Sequence, residues 1–136
     1  MKRCCIILTV ILFLAVGAGC SGNRTKDDAA ISSSLIREEI TEWPHNPYTD
    51  VIIQPESGTP DYALFQESKF YAVFLKDITR EEGERYVEKL IDNGYCRIAG
   101  VNETTASSTL LQKDGVYLNI SVAEQELGIY IALEAE

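Results

Sequence analysis

Residues 70–95 read FYAVFLKDITREEGERYVEKLIDNGY and contain the strongest local structural signals in the chain. The first six are aromatic or aliphatic at every position, which is typical of a central strand that is buried on both faces. Thr79 and Glu82 have the spacing of a capping box, which pairs two side chains with two free backbone amides where a helix starts. Asn93-Gly94 predicts that the helix ends in a left-handed cap. The sequence therefore predicts a strand over 70–75 and a helix near 79–93.

The predicted helix has one apolar stripe and one charged flank. The stripe that we expect to face the sheet consists of Tyr86, Val87, Leu90 and Ile91. Gly83 costs a helix about 1 kcal/mol relative to alanine, so we expect the helix to approach the sheet closely there. The acidic residues of the flank are Glu81, Glu82, Glu84, Glu88 and Asp92. Because Arg80, Arg85 and Lys89 alternate with them, a solvated surface is favoured over a metal site or a catalytic carboxylate pair.

Alternating apolar residues predict the strands that follow the helix. They cover residues 95–101, 109–113, 116–122 and 129–133, and Asp114-Gly115 is a strong hairpin turn between the second and third of these. We therefore expect an α+β fold of two layers, with one helix on a mostly antiparallel sheet of four to five strands in the order β-α-β-β-β. One face of that sheet is expected to have no helix on it.

The chain before the domain divides into three segments. Residues 43–68 contain all four prolines among many apolar residues, which indicates an irregular arm packed on the domain of residues 69–136. Residues 20–42 are polar and predict a lipidated N-terminus with a flexible tether, in which only 33–41 has the spacing of a short helix, marginal by itself. Residues 1–19 have the features of a signal peptide.

The leader is short, basic at its start and then apolar. Lys2 and Arg3 precede an apolar run over 6–16, whose 11 residues would rise about 16 Å as a helix, roughly half of a bilayer's hydrocarbon thickness. The run is too short to cross a membrane and is typical of a signal peptide. Small residues then precede Cys20, and this motif resembles the bacterial lipobox, although Gly17 occupies the position where leucine is usual.

The lipobox predicts cleavage between Gly19 and Cys20 and attachment of a diacylglyceryl group, with acyl chains such as palmitate, to the Cys20 thiol. The mature chain is then expected on the extracytoplasmic face of the cell membrane, or in the outer membrane of a Gram-negative host. An ordinary signal peptide followed by an incidental cysteine is the alternative. The mature chain keeps one unmodified cysteine, Cys96, which we expect to be a small buried hydrophobe. A nucleophilic thiol is disfavoured because the single histidine, His45, lies in a proline-rich turn.

The charge of the mature chain limits its partners. Loss of the leader removes two of the 12 basic residues and none of the 21 acidic ones, so 10 basic residues face 21 acidic residues and the net charge is −11. An acidic surface repels phosphate backbones and anionic lipid headgroups. The sequence therefore predicts no nucleic-acid binding, and a membrane contact only through the lipid on Cys20.

Several short motifs together resemble a family of bacterial lipoproteins of unknown function that is common in Gram-positive bacteria. The motifs are Trp43-Pro44, Pro55–Gly58, Phe70–Leu75, the segment from Asp77 to Val87, and Gly94-Tyr95. The resemblance covers about residues 43–135. The chain departs from the family in having Pro55 alone where relatives often have two prolines, and Tyr95 where they have phenylalanine. The resemblance implies the lipid anchor and the β-α-β-β-β domain, and it implies no catalytic residue and no ligand.

The chain contains no familiar metal-binding, phosphate-binding or nucleophile motif, so the sequence predicts no cofactor and no enzyme activity. The leading hypothesis is a non-enzymatic module that binds an envelope protein or a cell-wall component. A small-ligand receptor associated with a transporter is an alternative, and a wall hydrolase that uses Asp61 and Glu67 is a weaker one. Four tyrosines in predicted strands form either a binding platform or, in the favoured interpretation, packing under the arm: Tyr71, Tyr95, Tyr117 and Tyr130.

Overall fold

A computed structural model describes residues 34–135, which belong to the unit Ser33–Glu136. Its elements in chain order are β1 (Ile36–Glu39), a short 3-10 helix (Thr49–Val51), β2 (Thr59–Gln66), β3 (Phe70–Lys76), α1 (Arg80–Asp92), β4 (Cys96–Asn102), β5 (Ala106–Lys113), β6 (Val116–Ala123) and β7 (Glu126–Leu133). The buried core residues of the described part all lie between residues 43 and 131, so a fragment of residues 21–136 retains this core.

The seven strands form one sheet in the order β1-β2-β3-β7-β6-β5-β4, and every neighbouring pair is antiparallel. The first three strands run as a meander from one edge to the centre. The last four run as a second meander from the opposite edge back to the centre, where β7 pairs with β3. Helix α1 connects the central strand β3 to the far edge strand β4, so β1 and β4 are the two edges of the sheet.

The predicted fold class is wrong in the number and order of the strands. The described residues are 49% strand and 16% helix, and the sheet has seven antiparallel strands rather than four to five in a β-α-β-β-β order. The two additional strands precede β3. Strand β2 lies within the stretch that was predicted to be irregular, and β1 lies within the stretch whose spacing indicated a short helix.

Cross-strand partners explain both additional strands. β1 ends at Glu39, opposite Tyr62, so Pro60 lies beyond the end of β1, where β2 has a neighbour on one side only and proline is tolerated. A register shift between Pro60 and Tyr62 places a bulge at the same point. β1 has weak strand propensity of its own, and it pairs with β2 from Ile36 opposite Phe65 to Glu39 opposite Tyr62. Neither contact is visible in a local sequence window.

The caps of helix α1 and the hairpin turn between β5 and β6 have the predicted geometry. Thr79 Oγ1 accepts a hydrogen bond from the Glu82 amide at 3.2 Å, and the Glu82 carboxylate accepts one from the Thr79 amide at 2.9 Å. The bond from the Thr79 amide is the main reason why the pKa of Glu82 is lowered. At the other end Gly94 has a φ of +100°, which an L side chain rarely adopts. Asp114 and Gly115 both have positive φ, as a two-residue hairpin turn requires.

Two segments cover one face of the sheet. Helix α1 packs on β5, β6 and β7, with its predicted apolar stripe toward the core. The part of the predicted arm that precedes β2, residues 43–58, is called the arm from here on. It covers the side of β3, where the ring of Tyr48 stacks on Tyr71 with 6.2 Å between centroids. Tyr86 joins the two segments, because its hydroxyl donates a hydrogen bond to the Ile53 carbonyl oxygen at 2.7 Å. The arm therefore completes a core that the helix alone leaves open.

Gly83 lies where α1 meets β6, and the expected close approach is confirmed. A Cβ atom at this position would lie 2.7 Å from Cγ1 and 3.3 Å from Cγ2 of Val122. Ordinary carbon–carbon contacts are about 3.5–4.0 Å. The missing side chain therefore allows the helix to reach its observed distance from the sheet.

Candidate functional site

Within residues 34–135, neither α1 nor the arm covers the opposite face of the sheet. A solvated sheet face is ordinarily polar, but this one carries large apolar side chains on its central strands. Directly paired residues point to the same face, as Tyr62 does with Phe74 and Ala72 with Tyr130. We call this surface the helix-free face, and its large aromatic and leucine side chains, half-buried or exposed, are Tyr62, Leu64, Phe70, Phe74, Leu110, Tyr117 and Tyr130.

Two stacked aromatic pairs lie at the centre of the helix-free face. The ring centroids of Tyr62 and Phe74 are 4.5 Å apart with 10° between their planes, and those of Phe70 and Tyr130 are 4.7 Å apart with 25°. The partners come from adjacent strands, whose spacing is about 4.8 Å. The stacked partners therefore cover one ring face of each other. The Phe74 ring also leans over Gly128 of β7, because a Cβ atom at Gly128 would lie 3.1 Å from its Cε1 and 3.4 Å from its Cδ1.

A cation from the edge strand covers the remaining ring face of Tyr62. The guanidinium carbon of Arg37 lies 3.7 Å from the Tyr62 ring centroid, which is a cation–π contact. The same guanidinium lies 3.0 Å from a carboxylate oxygen of Glu39. Tyr62 is therefore enclosed between Arg37 and Phe74, and neither face of its ring is open to a ligand.

The four tyrosines from the predicted strands divide between the two faces. Tyr71 and Tyr95 are buried, and burial raises the pKa of both hydroxyls. Tyr71 packs beneath the arm, as the favoured interpretation predicted. Tyr117 and Tyr130 lie instead on the helix-free face, where Tyr130 is 41% exposed. The packing interpretation is therefore wrong for these two.

Sequence analysis missed the aromatic residues that complete this face. Tyr62 lies in β2, which was expected to be irregular and so had no predicted face. Phe70 and Phe74 belong to the strand that was correctly expected to be central and apolar on both faces. The alternation of Phe70, Ala72 and Phe74 was the available signal, because the single predicted helix can cover only one side of a sheet.

The cysteine that lies within residues 34–135, Cys96, is not buried. Cys96 is the first residue of β4, at an edge of the sheet, and it is exposed, so the prediction of a buried hydrophobe is wrong. His45 lies in the arm, with its Nδ1 3.2 Å from a carboxylate oxygen of Asp50. The structure therefore pairs the histidine with a carboxylate and not with the thiol.

The acidic flank of α1 forms ion pairs along the helix. An Arg85 nitrogen lies 2.8 Å from a Glu81 oxygen, and an Arg80 nitrogen lies 2.9 Å from a Glu84 oxygen, both with i,i+4 spacing. Within residues 34–135, no three His, Cys, Asp or Glu side chains are grouped so that they could hold a metal ion. The flank is arranged as a solvated surface.

Asp61 and Glu67, the pair considered for wall hydrolysis, are separated by β2. Asp61 lies near the start of that strand and Glu67 directly after its end, a span of about 20 Å at roughly 3.3 Å per residue. Asp61 is also paired with Lys76, at 3.2 Å between Oδ1 and Nζ. The structure does not bring the two carboxylates together.

The predicted lipidation and cleavage residues, Cys20 and Gly19, lie outside the described residues. In the part of the chain that the structure describes, no helix combines the length and the apolarity needed to cross a membrane. Among buried side-chain nitrogen and oxygen atoms of the same part, none lacks a hydrogen-bond partner. Its interior therefore holds no orphaned polar group that a ligand would satisfy.

No protein-family model matches the chain, and no curated protein or solved structure shows a significant match to it. The resemblance to bacterial lipoproteins therefore rests on the sequence motifs alone.

Proposed function

We propose that the chain is a lipid-anchored extracytoplasmic module that binds another envelope protein through the helix-free face and catalyses no reaction. The observation that carries the proposal is the row of aromatic side chains on the uncovered side of β2, β3 and β7. Contiguous exposed apolar surface is uncommon on monomeric proteins and marks interaction sites. Tyrosine, phenylalanine and arginine are also the residue types enriched at protein interfaces.

The mutual coverage of the rings favours a protein over a glycan as the partner. A sugar stacks its C–H groups on the open face of an aromatic ring. Here the rings of Tyr62 and Phe74 cover each other, and Arg37 covers the second face of Tyr62. Rings stacked on each other instead offer ring edges, and the gaps between the pairs, to the apolar side chains of a protein.

The charge of the chain indicates the character of that partner. The net charge is −9, and it becomes more negative if the leader is removed. Electrostatic complementarity speeds association and excludes partners of like charge. The partner is therefore expected to have a basic rim around an apolar centre, and the association rate is expected to fall as salt is added.

The anchoring part of the proposal is tested by Cys20→Ser in cells. Loss of the thiol prevents lipid attachment, so the protein is expected in the soluble extracytoplasmic fraction instead of the membrane fraction. Wild-type protein fractionated in parallel is the control. Persistence of the variant in membranes after washing without detergent contradicts the lipid anchor.

The binding part is tested by placing the photocrosslinking residue p-benzoylphenylalanine at Tyr130 of the full-length protein in cells. Irradiation is expected to give a discrete crosslinked protein, which mass spectrometry identifies. The same residue at Val51, which is 48% exposed on the arm, is the matched control and is expected to give none. Equal products from both positions, or none from Tyr130, contradict a docking site on the helix-free face.

A double variant distinguishes a protein partner from a wall polymer. The Tyr117→Ala, Tyr130→Ala variant of the 21–136 fragment is compared with wild type for binding to the identified protein and for sedimentation with purified peptidoglycan. Binding to the protein is expected to fall about tenfold or more, as for removal of interfacial tyrosines. Circular dichroism checks that the variant is folded. Sedimentation with peptidoglycan that the double substitution abolishes would replace the protein partner by a glycan.

A further inference from the structure

The two edges of the sheet differ in their protection against strand pairing. β1 is four residues long and three of them are charged, and both features disfavour the pairing of a further strand with this edge. β4 is seven residues long, contains the single charged residue Arg97, and is exposed throughout. Its apolar residues Ile98 and Val101 are 51% and 60% exposed. Within residues 34–135, no strand pairs with the outer side of β4, which leaves a row of backbone amides and carbonyls there.

A bulge limits the part of β4 that can accept a further strand. The register with β5 shifts between Arg97 and Ala99, so Ile98 has no direct partner. Beyond it the pairing is regular from Ala99 to Asn102. The regular part spans roughly 13 Å at about 3.3 Å per residue. This length suits a short extended peptide, and it is short for an interface between two folded domains, which ordinarily buries about 800 Å² on each partner.

A groove runs beside this edge, between β4 and α1. It has a volume of about 390 Å³, and its helix side is formed by Glu84, Val87 and Glu88. Its strand side has small residues, including Gly100 and Thr109. A Cβ atom added to Gly100 would meet only the Ser108 carbonyl oxygen, at 3.5 Å, so the space above this glycine is open. A strand added to β4 could therefore place alternate side chains in the groove.

Arg80, at the start of α1, donates four hydrogen bonds beside the groove. Arg80 pairs with Glu84 and donates to Asn102 Oδ1 at 2.7 Å and to the carbonyl oxygens of Thr104 and Glu103 at 2.7 and 3.0 Å. These bonds tie the start of α1 to the turn between β4 and β5. They fix the separation between the start of α1 and this turn, and inside the groove Arg97 of β4 donates a long hydrogen bond, 3.5 Å, to Glu88 of α1.

The charged residues that line the groove are two carboxylates and one guanidinium, Glu84, Glu88 and Arg97. Glu88 is exposed, and its contact with Arg97, at 3.5 Å, is the longest ion pair among the described residues. A lysine side chain would pack its methylene groups over Val87 and Gly100 and place its ammonium group near Glu88. The chain as a whole, at −9, attracts a cationic segment.

We propose that β4 and the adjacent groove bind an extended, lysine-containing polypeptide segment of a partner protein by strand addition. The main-chain hydrogen bonds supply affinity, and the groove selects the alternate side chains. This surface is an edge of the sheet and lies apart from the aromatic centre of the helix-free face, so the proposal stands or falls independently of the proposed function.

The test adds the peptide acetyl-Thr-Lys-Val-Lys-Val-Lys-Thr-amide stepwise to the isotopically labelled 21–136 fragment. The chemical shifts of the backbone amides are recorded by NMR at each step. The largest shifts are expected at the amides of Ala99 to Asn102 and of the facing turn of α1. A peptide with the same side chains but with alternate backbone amides N-methylated is expected to bind about tenfold or more weakly, because at least two ladder hydrogen bonds are lost. A peptide with glutamate in place of lysine is expected to bind more weakly at low salt.

Gly100→Leu fills the groove without a backbone clash and is expected to weaken binding of the lysine peptide about tenfold. Thr59→Leu, at an exposed strand position elsewhere, is the matched control and is expected to bind as wild type does. The proposal is overturned if the N-methylated peptide binds as tightly as the unmodified one, or if Gly100→Leu leaves the affinity unchanged. It is also overturned if the shifts are confined to other surfaces, or if millimolar peptide causes no shift. A peptide-free dimer that crosslinks through Ala99→Cys in a Cys96→Ser background would assign the edge to a second copy instead.

Discussion

Gly83→Ala is expected to destabilise the domain, although the same change stabilises an ordinary helix. Alanine in place of an interior helix glycine contributes about 1 kcal/mol of stability. Here the new methyl group would lie 2.7 Å from Cγ1 of Val122, a side chain that is 1% exposed and fixed between helix and sheet. Overpacking of this kind costs about 1–3 kcal/mol. We therefore expect a net loss of about 1 kcal/mol in the free energy of unfolding.

The contact is isolated by a double-mutant cycle with Val122→Ala. That substitution alone removes two buried methyl groups and is expected to cost about 2 kcal/mol. In the double variant the new methyl group occupies part of the vacated space, so the combined loss is expected to fall short of the sum by about 1 kcal/mol or more. Urea denaturation of the 21–136 fragment, followed by circular dichroism, measures all four proteins.

The exposed substitution Glu81→Ala on the same helix is the control and is expected to change stability by less than about 0.5 kcal/mol. Stabilisation of the protein by Gly83→Ala, with additive effects in the cycle, would refute the close approach of α1 to β6. A change in the denaturant slope would show that the substitution altered the compactness of the native or unfolded state, and the cycle would then be repeated by thermal unfolding.

Three further predictions concern the same helix and its contacts. Leu90→Ala is expected to cost about 2–5 kcal/mol, because Leu90 is fully buried, and a loss below about 0.5 kcal/mol in urea denaturation would mean that the helix is not docked. Tyr86→Phe removes the hydrogen bond to the Ile53 carbonyl and is expected to cost about 1 kcal/mol, with faster proteolysis of the arm; unchanged proteolysis would contradict its role in holding the arm. The pKa of Glu82 is lowered in the folded state, so its contribution is present above the ordinary carboxyl pKa and is lost as the pH falls through the lowered value. Glu82→Gln is accordingly expected to reduce the difference in melting temperature between pH 7 and acid, and an unchanged difference would contradict the capping bond as its source.

Local sequence determined the helix, its caps and the hairpin turn. A capping box, a left-handed glycine and a two-residue turn each depend on residues that are at most a few positions apart, so their geometry can be read directly from the chain. The close approach at Gly83 was also visible, because a glycine inside a strong helix needs a packing reason. The leader and the lipobox at Cys20 stay predictions from the sequence, because they lie outside the residues that the structure describes.

Only the tertiary structure decided the extent of the sheet and the role of its faces. β1 has few residues that favour a strand, and Pro60 argues against one in β2; both strands exist because distant partners pair with them. The same pairing decided that Tyr71 lies under the arm while Tyr130 lies on the helix-free face, and that Cys96 lies at an open edge. Alternation shows that neighbouring residues point to opposite sides of a strand, but it does not say which side another segment will cover. That choice depends on contacts between residues far apart in the chain, which local propensity does not encode.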